Sequence, residues 1–216
     1  MHGKKALLHP VPFPSLAQAS VICSYPEIVW EARQHFEKQT YRNRYYIHGA
    51  HGKQMLSIPV RHGKSSRHVP MEEVLIANEF DWQRQHWKSL ETAYRTSPYF
   101  EFYEDDIRPL FEQKYERLMD FNIDTVRTVC RLLGKEIKES RTHAYSPESG
   151  DADDFRFLVD AKKKFDFDTH WEPYFQVFSG RNGFIPGLSV LDLLFMLGPE
   201  AERYLKEHGK RLLGIG

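Results

Sequence analysis

The sequence predicts an α/β or α+β fold, with one central sheet of about four to five strands covered by helices and a helical C-terminal half. Three observations predict it. Short apolar runs of strand length alternate with longer stretches of helical period. The clearest helical patterns begin at residue 82 and dominate from there on. The chain has 216 residues, 41% of them hydrophobic and 14% aromatic. That is enough apolar surface for a packed core, and the length suits one domain. We expect that domain over residues 1–208, with 209–216 as a frayed tail.

Each element follows from a local signal. Ala6-Leu7-Leu8 reads as a buried strand that runs into His9-Pro10-Val11-Pro12-Phe13-Pro14, where three prolines hold the backbone extended and remove donors. Ser15 is placed to cap a short helix ending near Cys23. Glu27–Ala32, Gln54–Val60 and Glu73–Ala77 read as further strands, and the polar, basic residues 61–70 as a loop. Asp81 is expected to cap a helix over 82–96 that puts Trp82, His86, Leu90 and Tyr94 on one face, with Pro98 ending it. A second helix starts near Asp105 and carries Ile107, Leu110, Phe111 and Tyr115. A third, capped by Asn122, turns Ile123, Val126, Cys130 and Leu133 inward and stops at Gly134. Residues 135–145 read as a strand and its exit, and 146–154 as an acidic turn-rich loop. Leu188–Leu197 reads as an apolar helix closed by Gly198-Pro199, followed by an amphipathic helix over Glu200–His208.

Lys and Arg number 30, as do Asp and Glu, so the formal net charge is zero. A chain-wide basic face for nucleic acid is not expected. Zero conceals an imbalance. Residues 1–100 hold 13 Lys and Arg against 8 Asp and Glu, together with eight of the 11 His, whereas the remainder holds 17 against 22. The imbalance is either the scatter common on protein surfaces or the mark of an anion site built mainly from the first half. Two cysteines without CxxC or CxxH spacing indicate neither a disulfide framework nor a structural zinc site. The N-terminus lacks the apolar run of a signal peptide, and no stretch reaches the ~20 apolar residues of a bilayer span. A cytoplasmic protein is expected. The P-loop, dinucleotide-binding, HExxH and GxSxG signatures are absent.

Five constellations can carry chemistry. In Tyr41-Arg42-Asn43-Arg44-Tyr45-Tyr46, read as extended chain, Arg42 and Arg44 project to one side. They there suit a carboxylate, phosphate or diphosphate, or pair with acidic neighbours on an edge strand. The basic segment 61–68 either closes over an anion or is a solvated loop. His9, at the end of a strand, is either a general acid/base or phosphate contact, or a turn histidine. His86 shares an apolar helix face, which fits a core histidine as well as a catalytic one, and Arg95 near the end of that helix can simply complement its dipole. Asp192 lies within an otherwise apolar helix behind Tyr174-Phe175-Gln176-Val177-Phe178. A buried carboxylate there needs partners, as a structural anchor or as a site residue.

Taken in order, the motifs are distinctive. They are His9-Pro10-x-Pro12-Phe13-Pro14, Gln39-x-Tyr41-Arg42-Asn43-Arg44, Leu56-Ser57-Ile58-Pro59-Val60 and His86-Trp87-x-x-Leu90-x-x-Ala93-Tyr94-Arg95. Phe121-Asn122, Tyr174-x-Gln176-Val177-Phe178 and Gly183-Phe184-Ile185-Pro186-Gly187-Leu188-Ser189-Val190-Leu191-Asp192 follow. Across roughly residues 6–205 this resembles the WbqC-like protein family. The sequence departs from the family's pattern at His9, where Gln is more frequent, and at Gly187, where Asn is usual. The resemblance implies a cytoplasmic enzyme of bacterial surface-polysaccharide, O-antigen type, biosynthesis. It would be a transferase acting on a nucleotide-linked or otherwise activated sugar, adding an acyl or aminoacyl group. The expected catalytic residues are His9, His86 and Asp192. The expected substrate-binding residues are Arg42, Asn43, Arg44, Arg95, Tyr174 and Gln176, around an anionic small molecule. Neither a metal ligand set nor a cofactor is indicated. The alternative is a non-catalytic binding or assembly protein of a glycan-synthesis complex, which would scatter these residues over separate faces.

Overall fold

The computed structural model describes residues 4–61, 68–163, 165 and 170–214. Its centre is a parallel sheet of four strands, β1 (Lys5–Leu8), β2 (Glu27–Trp30), β5 (Lys138–Arg141) and β6 (Ala152–Asp154), in the order β5-β2-β1-β6. Helix α1 (Leu16–Ser24) makes the crossover from β1 to β2. Ser15 caps it, its hydroxyl accepting from the Gln18 N–H. The strands are short and apolar where they are central, as expected for a sheet covered on its faces. From β1 the chain moves outward to β2 and β5 on one side, then returns to place β6 on the other.

A separate antiparallel hairpin, β3 (Arg44–Gly49) and β4 (Gly52–Ser57), packs against α2 (Trp82–Tyr94). Helices α3 (Phe100–Ile107), α4 (Pro109–Glu112) and α5 (Leu118–Leu132) follow. After them come the short α6 (Ser179–Asn182), α7 (Val190–Leu197) and α8 (Ala201–Leu213). The aromatic content goes largely into one cluster. Phe13 lies 5.1 Å from the Tyr45 ring, 5.6 Å from Phe111 and 6.1 Å from Phe121, in stacked and edge-on contacts worth about 0.5–1.5 kcal/mol each beyond burial. Among the described residues no helix is long and apolar enough to cross a membrane.

Several expected elements differ. Gln54–Val60 contributes a strand only through Ser57, and that strand pairs with β3 rather than joining the central sheet. Glu73–Ala77 is not a strand. A 3-10 turn occupies Met71–Glu73, and the next residues make single bridges, Leu75 to Arg117 and Ile76 to Val60. The acidic segment 146–154 ends in β6, where Ala152 is buried and Asp153 accepts from the Tyr25 hydroxyl at 2.6 Å. Asp81 makes no side-chain cap; its carboxylate faces Arg84 instead, at 3.6 Å. Asn122 lies inside α5, one turn beyond its start, and caps nothing. The helix expected from Asp105 begins earlier, at Phe100, and is interrupted ahead of Pro109, whose ring cannot continue the hydrogen-bond ladder. Helix α8 continues to Leu213, past His208. It lies along α1 so closely that a Cβ at Gly209 would collide with Ser20.

Candidate functional site

All four central strands are parallel, so their carboxyl ends share one edge of the sheet. The residues just beyond those ends are polar. His9 follows β1, Glu31 follows β2, Thr142 follows β5 and Arg156 follows β6 by two positions. The connectivity reverses direction between β1 and β6. In open sheets with parallel strands, that switch point leaves a crevice where ligands bind. A cleft of about 290 Å³ lies there. His9, Arg42 and Arg156 line it, with Glu37, Asp160, Gln34 and the rings of Tyr145 and Phe157 at its sides.

The floor of the cleft is a buried histidine–arginine contact. Arg42 is 1% exposed, and its Nη2 lies 2.9 Å from His9 Nε2. A guanidinium only donates, so Nε2 must accept, and the His9 proton resides on Nδ1. The electrostatics agree. Burial first, and then the Arg42 charge, hold the His9 pKa well below the usual imidazole value. His9 is therefore neutral, and its Nε2 is occupied by Arg42. The geometry makes it a hydrogen-bond acceptor that aims the arginine fork rather than a free acid or base. Burial lowers the Arg42 pKa to about 10, which leaves it charged at neutral pH.

Local structure explains why Arg42 arrives there. The chain at 41–43 is a 3-10 turn, with Thr40 accepting from the Arg42 N–H. The extended reading, which put Arg42 and Arg44 on one side, is thereby corrected. Asn122, completely buried on α5, donates one amide nitrogen to both Pro10 O at 3.0 Å and Arg42 O at 2.8 Å. One side chain thus ties together the two backbone segments that carry His9 and Arg42. The proline loop is gripped twice more. Thr125 Oγ1 accepts from the Phe13 N–H, and Ser189 donates to Phe13 O. Phe13 has φ +42, a strained value for a bulky residue that such bracing can hold.

The two arginines of the cleft differ. Arg156 has every donor engaged. Its Nε and Nη2 reach Asp154, Nη2 also reaches Pro147 O at 2.8 Å, and Nη1 reaches Ser146 O at 2.7 Å and Glu31 at 3.4 Å. Glu31, itself buried, accepts additionally from the Arg33 and Gln34 N–H groups and from the Thr142 hydroxyl. Arg42 has only the His9 contact as a short bond. Its Nη1 reaches Thr40 Oγ1 at 3.5 Å and the Glu37 carboxylate at 3.8 Å, and its Nε has no partner among the described residues.

The remaining candidates lie elsewhere. Asp192 is fully buried and accepts from Tyr94 at 2.8 Å on one oxygen, and from Tyr174 at 2.7 Å and Gln176 at 2.9 Å on the other. The Tyr94 hydroxyl in turn accepts from the His48 N–H. This cage joins β3, α2, α7 and the 174–176 segment. Burial raises the Asp192 pKa, and the three donors oppose that rise. His86 donates from Nε2 to Ser57 O and accepts at Nδ1 from the Tyr45 hydroxyl, and burial lowers its pKa to about 4. Asn43 donates to Ile58 O, which holds the start of β3 to the end of β4. Arg44 reaches the Met55 sulfur at 3.5 Å, and Arg95 is partly exposed between Glu91 and Glu104. The structure thus brings together His9 and Arg42 from the expected set, and adds Arg156, Glu31, Glu37 and Asp160. Most of the 61–68 segment, residues 62–67, lies outside the described residues. Both cysteines are buried thiols with pKa values pushed up to about 12, so neither is a poised nucleophile. Among the described residues no group of three His, Cys, Asp or Glu is placed to hold a metal ion.

Comparison with known proteins adds two matches. A family model described as the WbqC-like protein family matches residues 10–175. Uncharacterized protein Rv1507c of Mycobacterium tuberculosis (strain ATCC 25618 / H37Rv) is 27% identical over 207 aligned residues, covering 83% of this chain and 87% of that protein. No solved structure matches the chain.

Proposed function

The chain belongs to the WbqC-like protein family, and from that premise we propose that it is a transferase of bacterial surface-polysaccharide biosynthesis, working in the cytoplasm on an activated sugar held in the His9–Arg42 cleft. One observation carries this reading. A charged guanidinium, almost wholly buried and only partly satisfied, sits on the floor of a cleft at the switch point of a parallel sheet. Burying a charge is unfavourable unless it is fully paired, and a ligand anion completes the pairing. In this proposal Arg42 holds the anionic group of the sugar donor or acceptor. His9 orients Arg42, and the Glu31–Arg156–Asp154 network keeps the far wall rigid. Asp160 and Glu37 supply the carboxylates nearest the bound ligand, so they replace His9 and His86 as candidates for moving a proton.

Of the nine expected residues only His9 and Arg42 meet in the cleft, and the other seven lie outside it, as the assembly alternative expects; what supports the catalytic reading is the polar set that Arg156, Glu37 and Asp160 complete around Arg42. The test is a thermal-shift screen of the full chain against nucleotide sugars, sugar phosphates and acyl-CoAs. A ligand at 100 times its dissociation constant stabilises by about 2.7 kcal/mol. The proposal expects such a shift with a sugar phosphate or nucleotide sugar, and its loss in Arg42→Gln. A protein that responds to none of them is not this transferase.

A further inference from the structure

An activated sugar has a sugar ring, one or two phosphoryl groups and often a nucleotide. Resting on the function proposed above, we infer that the cleft is a subsite for one ring and one anion. It takes the glycosyl phosphate part of the ligand, with the phosphoryl group against Arg42 and ring hydroxyls against Asp160, and it leaves any nucleotide outside.

Three observations converge on this division. The first is the count of open cationic valences. Arg156 has all its donors committed to Asp154, Glu31 and two backbone carbonyls. Arg44 and Arg95 lie outside the cleft. Among the described residues that line the cleft, Arg42 is the cation that retains capacity. Its outer Nη1 has a long 3.5 Å contact to Thr40 Oγ1 and faces the Glu37 carboxylate, which is 64% exposed and 3.8 Å away, so an incoming anion can take that carboxylate's place. One guanidinium fork fits one phosphoryl group. A second phosphoryl group would meet Glu37 and Asp160, with no further uncommitted cation lining the cleft among the described residues. Lys163 does not supply one inside the cleft. It lines an adjoining crevice of about 20 Å³, roughly the space of a single water.

The second observation is the chemistry of the walls. Asp160 lines the cleft, and its Oδ1 is fixed by the N–H groups of Lys162 at 2.9 Å and Lys163 at 3.3 Å. A carboxylate only accepts, so its complement is a donor such as a ring hydroxyl. Tyr145 and Phe157 stand at the same cleft with 50% and 44% of their surface exposed. Exposed rings beside a fixed carboxylate offer an apolar face for the C–H side of a sugar while its hydroxyls are bonded at the edge. The third observation is size. About 290 Å³ is at the small end of ligand pockets, which run roughly 300–1,000 Å³. That size matches one hexose with one phosphoryl group, and the open mouth of the cleft leaves the rest of a nucleotide sugar outside it.

Isothermal titration calorimetry on the full chain tests the division, with inorganic phosphate, a panel of hexose 1-phosphates, UDP and the matching UDP-hexoses as probes. The subsite predicts that at least one hexose 1-phosphate binds ten-fold or more tighter than inorganic phosphate. It predicts that UDP alone binds no tighter than inorganic phosphate. Asp160→Asn, at a loop position where folding is not at stake, should lose about ten-fold for the hexose phosphate and leave inorganic phosphate unchanged. Arg42→Gln and the charge-conserving Arg42→Lys should both weaken every phosphate probe. UDP binding as tightly as the UDP-hexose overturns the division and leaves the activated-sugar reading standing. An Asp160→Asn loss that is equal for phosphate and hexose phosphate overturns the ring placement. Failure of every hexose phosphate and nucleotide sugar to bind overturns both.

Discussion

Asp192 and Arg42 are both ionisable side chains removed from solvent, yet their hydrogen-bond accounts are opposite. Asp192 is fully buried and accepts from two tyrosines and a glutamine, so both of its oxygens are engaged. Arg42 has one short bond, an Nε with no partner among the described residues, and a cleft beside it. A buried carboxylate with three donors on its two oxygens contributes to the fold and is stabilised without a ligand. A guanidinium held in place but incompletely paired is poised for one. The same contrast separates Arg42 from its neighbour Arg156, whose donors are all taken. It also separates His9 from His86, both of them neutral. His9 spends its acceptor on the arginine, whereas His86 spends both nitrogens on core groups.

Breaking the Asp192 cage gives the largest expected effect. Asp192→Ala strands the two tyrosine hydroxyls and one N–H of the Gln176 amide, whose other short bonds go to Ile185. At about 1–3 kcal/mol for each unsatisfied buried group, urea denaturation should show a loss of about 4 kcal/mol or more. Ligand affinity of the molecules that remain folded should not change. A variant as stable as the parent would show that the cage is not the anchor described.

The histidines predict a pH dependence of nearly that size. Burial holds the His86 pKa at about 4 in the folded chain, against 6.5 when unfolded. The unfolded state therefore gains a proton first as pH falls. Stability is complete above about pH 6.5 and is lost as pH drops toward 4. Between pH 7.5 and 4.5 the His86 share is about 2.5 kcal/mol. It is read as the difference in pH dependence between the parent and His86→Gln, whose amide can donate to Ser57 O and accept from Tyr45. His9 acts in the same direction. Equal slopes for parent and variant would contradict a neutral core imidazole.

At Arg42 the effect moves from stability to binding. Arg42→Gln should weaken a bound anion by about 1.5–3 kcal/mol, the range for a hydrogen bond to a charged group, while Arg44→Ala should leave affinity unchanged. Equal losses would restore the two-arginine clamp read from the extended pattern. Arg95→Ala is the smallest change. A partly exposed arginine between Glu91 and Glu104 contributes about 0–1 kcal/mol, and less in high salt. Urea denaturation at low and high salt checks it, and a loss of ligand affinity would return Arg95 to the site.

Much of the frame was legible locally. The strand before His9, the Ser15 cap, the helix from Trp82 and the apolar helix over Val190–Leu197 each carry their own signal within a few residues. What escaped depends on partners far along the chain. Ala152-Asp153-Asp154 has no strand pattern and becomes one by pairing with β1 and receiving the Tyr25 hydroxyl. Glu31 and Arg156 look like ordinary charges until the strand order puts their positions on one edge. The Arg42 turn did leave a trace in Thr40, a capping residue two positions earlier, which the alternation of Arg42 and Arg44 outweighed. Asn122 was read as a helix cap, whereas its partners are two carbonyls, one 80 and the other 112 positions away in sequence.

The contrast between the two buried centres is tested most directly by amide and side-chain NMR shifts on titrating a hexose 1-phosphate into the labelled chain. The perturbations should gather on His9, Glu31, Arg42, Arg156 and Asp160, with Asp192, Tyr94 and Tyr174 unmoved. Perturbations centred on the Asp192 cage, with the His9–Arg42 contact unchanged, would contradict it.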